Sequence, residues 1–167
     1  MTAPSPIIVY GGAGRIGRIL CEALGAKSVE RGEPAIEADT VIWCAATGDS
    51  ETHGRLEDQA FLTASFLDMM MSQQQARRII FTSSFGAVSP INYYAAHKLA
   101  CEAMLEAWAK MPGRAAVSIR MGGYGRETPP GAWYEMALSQ ILAVYLEALD
   151  APIGFRILHP LAGRERS

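Results

Sequence analysis

Residues 10–20 read YGGAGRIGRIL, and their place in the chain decides the fold. Ahead of them stands PIIVY (6–10), a short β-branched run that stops at glycine, which is the signal of a buried strand. Behind them, residues 15–25 space Ile16, Ile19, Leu20 and Leu24 as the apolar stripe of a helix. Gly11, Gly14 and Gly17 therefore fall between a strand and the helix it leads into. Glycines there allow a tight turn, let backbone approach a pyrophosphate, and let the helix pack closely on the strand. The helix N-terminus adds free N–H groups and a partial positive charge for phosphates. A glycine-rich turn with no ligand fits the same spacing, but the strand-to-helix context favours a phosphate cradle.

Working outward, the pattern repeats. TVIWCAA (40–46), RRIIFTSS (77–84), AAVSIR (115–120) and GFRIL (154–158) read as strands. Residues 55–75, 89–110 and 128–150 read as helices. Ser89 and Pro90 supply cap and first-turn chemistry for the second of these helices. Strands alternating with helices predict an α/β fold: a three-layer, Rossmann-like domain with a mostly parallel sheet. No repeat, low-complexity tract or linker divides residues 1–167, so one domain is expected.

Composition narrows the function. The chain is 50% hydrophobic over 167 residues, enough for a substantial core, and its net charge is -2. With no basic block, nucleic acid is not an expected partner. Cys21, Cys44 and Cys101 lie in apolar segments without CxxC spacing and read as reduced core thiols. The N-terminus shows neither a charged leader nor a long apolar run, and no segment reaches membrane-spanning length, so a cytoplasmic protein is expected. His53, His97 and His159 are far apart, and no metal site is expected. Met69, Met70, Met71 and Trp43 read as core.

One more pair draws notice. Tyr94 and Lys98, in NYYAAHKLACE (92–102), are four apart and share a helix face. Read with GxxGxxG after the first strand, DTVIWCAA (39–46), a strand ending in FTSS, and SIRMGGYG (118–125), this stretch resembles the short-chain dehydrogenase/reductase superfamily. The closer similarity is to its extended branch of sugar-nucleotide epimerases, dehydratases and reductases. The motifs cover most of residues 7–125, in order.

The resemblance implies an NAD(P)-dependent oxidoreductase or epimerase acting on a carbonyl or alcohol carbon of a small molecule or sugar nucleotide. It implies Tyr94 as general acid/base, Lys98 as the cation that lowers its pKa and binds the nicotinamide ribose, and Ser84 as the group that orients substrate. Ser83 and Thr82 are the neighbouring alternatives. A phenol with a pKa near 10 needs such a cation to act as a base at neutral pH. The resemblance also implies cofactor contacts from Gly11, Ala13, Gly14, Arg15, Ile16, Gly17, Ala45, Ala46, Lys98 and Met121. The cofactor would be NAD or NADP; Arg15 reads more simply as a solvated arginine than as a 2′-phosphate ligand. Helices 90–110 and 130–149 would pair copies of the chain in a homo-oligomer.

Three departures set further expectations. About fifteen residues separate the first helix from TVIWCAA, too few for strand, helix and strand at ordinary lengths. The sheet is therefore expected to lack the usual second and third strands, with the first strand at or near an edge covered by KSVERGEPAIEADT (27–40) or by a partner. Without the ribose-gripping acid of that passage, dinucleotide binding is expected to be weak and unselective; Asp49 is the substitute in another register, and Glu37 precedes its strand. Ser84 and Tyr94 are only ten residues apart, and 42 residues follow Gly125, leaving little substrate domain. A non-catalytic binding subunit, or a non-redox enzyme using the tyrosine as a base, is the competing expectation.

Overall fold

The computed structural model describes residues 6–30, 32–46, 55–121 and 132–159. Six strands form one sheet: β1 (Ile7–Tyr10), β2 (Lys27–Val29), β3 (Thr40–Trp43), β4 (Arg78–Ser84), β5 (Ala115–Met121) and β6 (Gly154–Leu158). Their order is β2-β1-β3-β4-β5-β6, and every pairing is parallel. Four helices cover the two faces: α1 (Arg15–Leu24), α2 (Leu56–Ser72), α3 (Tyr93–Ala109) and α4 (Ala132–Leu149).

The central strands are apolar on both sides, as a sheet sandwiched between helices requires. Val41, Trp43, Ile79 and Phe81 pack with Phe66 of α2 and Leu105 of α3. Alternate residues Ile42 and Ile80 pack with Leu20 of α1 and Tyr145 of α4. The period-2 alternation of a strand thus splits each apolar run between two cores. Arg78 ties the α4 side down: its Nη1 donates to the carbonyls of Ala148 (2.9 Å) and Ala151 (2.8 Å), satisfying acceptors at the helix's end. Among the described residues, no helix is long and apolar enough to cross a membrane.

The three-layer Rossmann-like fold is as expected, but the edge is not where the sequence placed it. β2 pairs with β1 on the side away from β3, with Ile8 opposite Lys27 and Tyr10 opposite Val29. β1 is therefore an inner strand. Gly25 ends α1 in the left-handed conformation (φ 60°), and Ala26 N donates to Cys21 O, so the chain reverses within two residues and three residues of strand fit. The order is that of a Rossmann sheet, 3-2-1-4-5-6, without its outermost strand and with one added past the last. The missing passage is thus shorter than expected, and the second strand is present. A three-residue edge also presents little open backbone. The chain then returns to β3 pinned by Gln73, whose side chain accepts from Ala38 N (3.3 Å) and donates to Ile36 O (2.8 Å).

The start of α3 also differs. Residues Phe85–Val88 form a 3-10 turn, and Asn92 rather than Ser89 caps the helix, its Oδ1 accepting from Ala95 N at 2.8 Å. Ser89 closes that turn instead, its N–H donating to Gly86 O at 3.2 Å, so the helix starts beyond it.

Candidate active site

The glycine loop joins β1 to α1 in space that only glycine can fill. Gly11 has φ +81°, and a Cβ there would stand 2.7 Å from Ala45 N. A Cβ on Gly17 would stand 2.2 Å from Gly11 O, so the helix can approach the loop only without one. Gly14 is the extended N-cap of α1, and no side chain caps it, which leaves first-turn N–H groups for a ligand. Cys44 N donates to Tyr10 O at 2.8 Å, setting Ala45 against the loop with exposed Ala46 following it. Residues 11–17, 45 and 46 therefore converge at the carboxyl ends of β1 and β3. There the chain leaves β1 for β2 on one side and returns to β3 on the other, the crevice where open α/β sheets take their ligands.

An acid that the sequence reading missed stands at this crevice. Glu30 follows β2 directly; its Oε1 accepts from Ala13 N at 3.0 Å and from the Ser28 hydroxyl. Its own N–H donates to Glu33 Oε2 at 2.8 Å. An acid about twenty residues past the first glycine, ending the second strand, is the position of a ribose ligand. That signal was in the sequence, but it depends on recognising β2. Glu37 lies in the exposed return to β3, and Asp49 falls outside the described residues.

On the other side of the crevice α3 brings Tyr94 and Lys98 together. Lys98 Nζ lies 5.4 Å from the Tyr94 ring centre and 4.9 Å from that of Phe81, and donates to Thr82 O at 2.9 Å. The lysine is 2% exposed, and burial pulls its pKa down to about 8. Ser84 ends β4 and caps the 3-10 turn, its Oγ accepting from Gly86 N at 3.2 Å. That bond leaves the hydroxyl proton to donate elsewhere. A Cβ on Gly86 would lie 3.5 Å from both Ser84 Oγ and Ala95 Cβ, so Gly86 sits between Ser84 and the first turn of α3. Met121 pairs with Ser84 at the ends of β5 and β4. Arg15 is exposed at the start of α1, beside half-buried Ile16.

No family model matches the sequence, and no curated protein matches it. Solved structures do. MoeE5 in complex with UDP-glucose and NAD superposes with a TM-score of 0.71 at 17% identity, over 92% of this chain and 75% of that one. RMD from Pseudomonas aeruginosa complexed with NADPH gives 0.67 at 17%, over 98% and 80%. The protein lin1944 from Listeria innocua gives 0.66 at 13%, over 93% and 99%. The chain has the fold of the extended short-chain dehydrogenase/reductases.

In this version of the fold, the remaining motif residues serve as struts. Glu102, one turn beyond Lys98, accepts from Ser83 Oγ (2.6 Å), Ser118 Oγ (2.8 Å) and Arg120 Nη2 (2.6 Å). Burial alone would raise its pKa, but the hydrogen bonds from Arg120, Ser83 and Ser118 carry it below the ordinary value. Lys98 and Glu102 thus hold consecutive residues of β4, Thr82 and Ser83, and fix the register of α3. The two alternatives to Ser84 are both engaged: Ser83 by Glu102, and Thr82 Oγ1 by the Tyr145 hydroxyl and Cys44 Sγ (3.3 Å). His97 turns away toward α2, with Nδ1 2.8 Å from Thr63 Oγ1.

Proposed function

We propose that the protein is an NAD-dependent oxidoreductase, or an epimerase of the same chemistry, acting on a carbonyl or alcohol carbon. The carrying observation is the buried Lys98 ammonium beside the Tyr94 ring, on the helix that follows the turn Ser84 caps. A nicotinamide dinucleotide, when bound, supplies or accepts the hydride. Tyr94 gives or takes the hydroxyl proton, and Lys98 lowers the cost of its phenolate form. Ser84 donates its free hydroxyl proton to the substrate oxygen and holds the reacting carbon in place.

The residues present fit such a dinucleotide. The glycine cradle at 11–17 and the uncapped start of α1 suit its pyrophosphate. Glu30 suits ribose hydroxyls and would repel a 2′-phosphate, which supports NAD over NADP and replaces the expectation of unselective binding. In the same reading the protein acts as a homo-oligomer through α3 and α4, whose outward Leu99 and Leu146 would meet a second copy. Calorimetric titration with NAD+, NADH, NADP+ and NADPH tests the reading. Tighter binding of the NAD pair is expected; binding of none of the four would end it.

A further inference from the structure

The chain between Ser84 and Tyr94 has an unusual surface. Ile91 is 89% exposed, Val88 55% and Tyr93 51%, all within one short connection. From residue 79 through residue 97 the sequence holds no Asp, Glu, Lys or Arg. This segment is tethered to the reaction centre at both ends. Ser84 itself caps its turn, Gly86 packs on Ala95, and Tyr93 adjoins Tyr94. Met121, paired with Ser84, adds another apolar side chain.

The nearest cations are already committed. Lys98 Nζ is buried, donates to Thr82 O at 2.9 Å and faces the Tyr94 ring, and Arg120 is bound through two nitrogens to Glu102. A diphosphate needs charge-assisted partners, typically arginine forks. Among the described residues, the stretch from 79 through 97 that borders this half of the crevice offers none. Exposed apolar surface that adjoins a reaction centre marks a ligand surface.

Resting on the oxidoreductase reading above, we infer that the substrate is an uncharged, largely apolar alcohol or carbonyl compound, covered by Val88, Ile91 and Tyr93, and not a nucleoside-diphosphate sugar. In the oxidative direction the carbinol C–H bond breaks, and its electron pair leaves as hydride to the oxidised nicotinamide. The O–H bond breaks and its proton passes to Tyr94 Oη, so that the C=O bond forms and the dinucleotide is reduced. Reduction is the reverse.

The test uses the full chain with NAD+ or NADH and follows nicotinamide absorbance. Primary alcohols and aldehydes of increasing chain length are compared with UDP-glucose and UDP-N-acetylglucosamine. The expected result is a kcat/KM that rises roughly threefold with each added methylene. Ile91→Asp should raise KM for the longest substrates about tenfold, from loss of that apolar contact, with kcat and NADH affinity unchanged. A parallel titration of the NADH-loaded protein with octanal and with UDP-glucose reads binding without turnover. Preference for the UDP-sugars, a KM indifferent to Ile91→Asp, or binding and turnover of neither class would overturn the inference. If no dinucleotide binds at all, the oxidoreductase reading fails, and the inference with it; if NADH binds but only UDP-sugars react, the inference alone fails.

Discussion

Lys98 Nζ donates to the Thr82 carbonyl at 2.9 Å, which fixes a buried ammonium to β4 while leaving it 5.4 Å from the Tyr94 ring. The charge is held by backbone, so its position depends little on other side chains. Tyr94→Phe keeps the ring and removes the proton carrier. Turnover should fall ~10²-fold or more, the usual contribution of a positioned acid/base, with an unchanged circular dichroism spectrum. Lys98→Met should lower both turnover and NADH affinity, yet leave the melting temperature equal or higher, because a buried charge has been removed. Full activity in Tyr94→Phe would reduce the motif to scaffolding.

Ser83 and Ser84 are neighbours with opposite commitments. Ser83 is 2% exposed and donates to Glu102, whereas half-buried Ser84 accepts from Gly86 N, which leaves its hydroxyl proton to donate elsewhere. Ser83→Ala should cost stability, by ~1–3 kcal/mol in urea denaturation, since it strips a bond from a buried carboxylate. Ser84→Ala strips only the exposed bond to Gly86 N, so it should cost less stability than Ser83→Ala and should lower kcat/KM. Ser83 should not rescue it. The reverse pattern, in which Ser83→Ala alone harms catalysis at full stability, would reassign the site.

At the dinucleotide end, Gly17→Ala places a Cβ 2.2 Å from the Gly11 carbonyl, a backbone atom that cannot step aside. Loss of NADH binding in calorimetry is expected. Glu30→Ala should act differently: NADH affinity drops and NADPH affinity rises relative to it, because the repulsive carboxylate is gone. An unaltered NADH/NADPH ratio would remove Glu30 from the ribose site.

Much of this was written in local pattern. The run PIIVY before the glycines and the two-faced apolar runs of β3 and β4 carry the parallel sheet, because burial on both faces leaves an unbroken hydrophobic stretch. Tyr94 and Lys98 were legible from helical spacing, and the pairing is there. β2 was not: three residues, Lys27–Val29, are too few to show a period, and Glu30 went unseen with them. The choice between Ser83 and Ser84 was also out of reach. It is made by Glu102, nineteen residues downstream, in a contact that only the packing of α3 on β4 creates. Asn92 took the cap from Ser89 because Ser89 closes the 3-10 turn, with its N–H bonded to Gly86 O.

His97 gives a pH signature separate from catalysis. It is 3% exposed, Nδ1 meets Thr63 Oγ1, and Nε2 is buried without a partner. Burial first, and then the Lys98 charge, lower its pKa from 6.5 to about 3. The unfolded chain therefore binds this proton near pH 6.5 while the folded protein refuses it until about pH 3. Across that window the unfolded state holds more protons, so stability falls as pH falls. Glu102, whose pKa is lowered from 4.5, adds to the loss only below that value. The interval from pH 6.5 to 4.5 thus isolates the histidine. Urea denaturation there should show the unfolding free energy decreasing by on the order of 2 kcal/mol, at a limiting slope of about 1.4 kcal/mol per pH unit for one proton. His97→Leu cannot take up the proton and fills the same apolar space between α3 and α2. Its curve should be lower at neutral pH for want of the Thr63 bond, yet flatter from 6.5 to 4.5. Parallel slopes in the two proteins would mean that His97 accepts its proton in the folded state as readily as in water, and that the packing of α3 on α2 is looser than the structure has it.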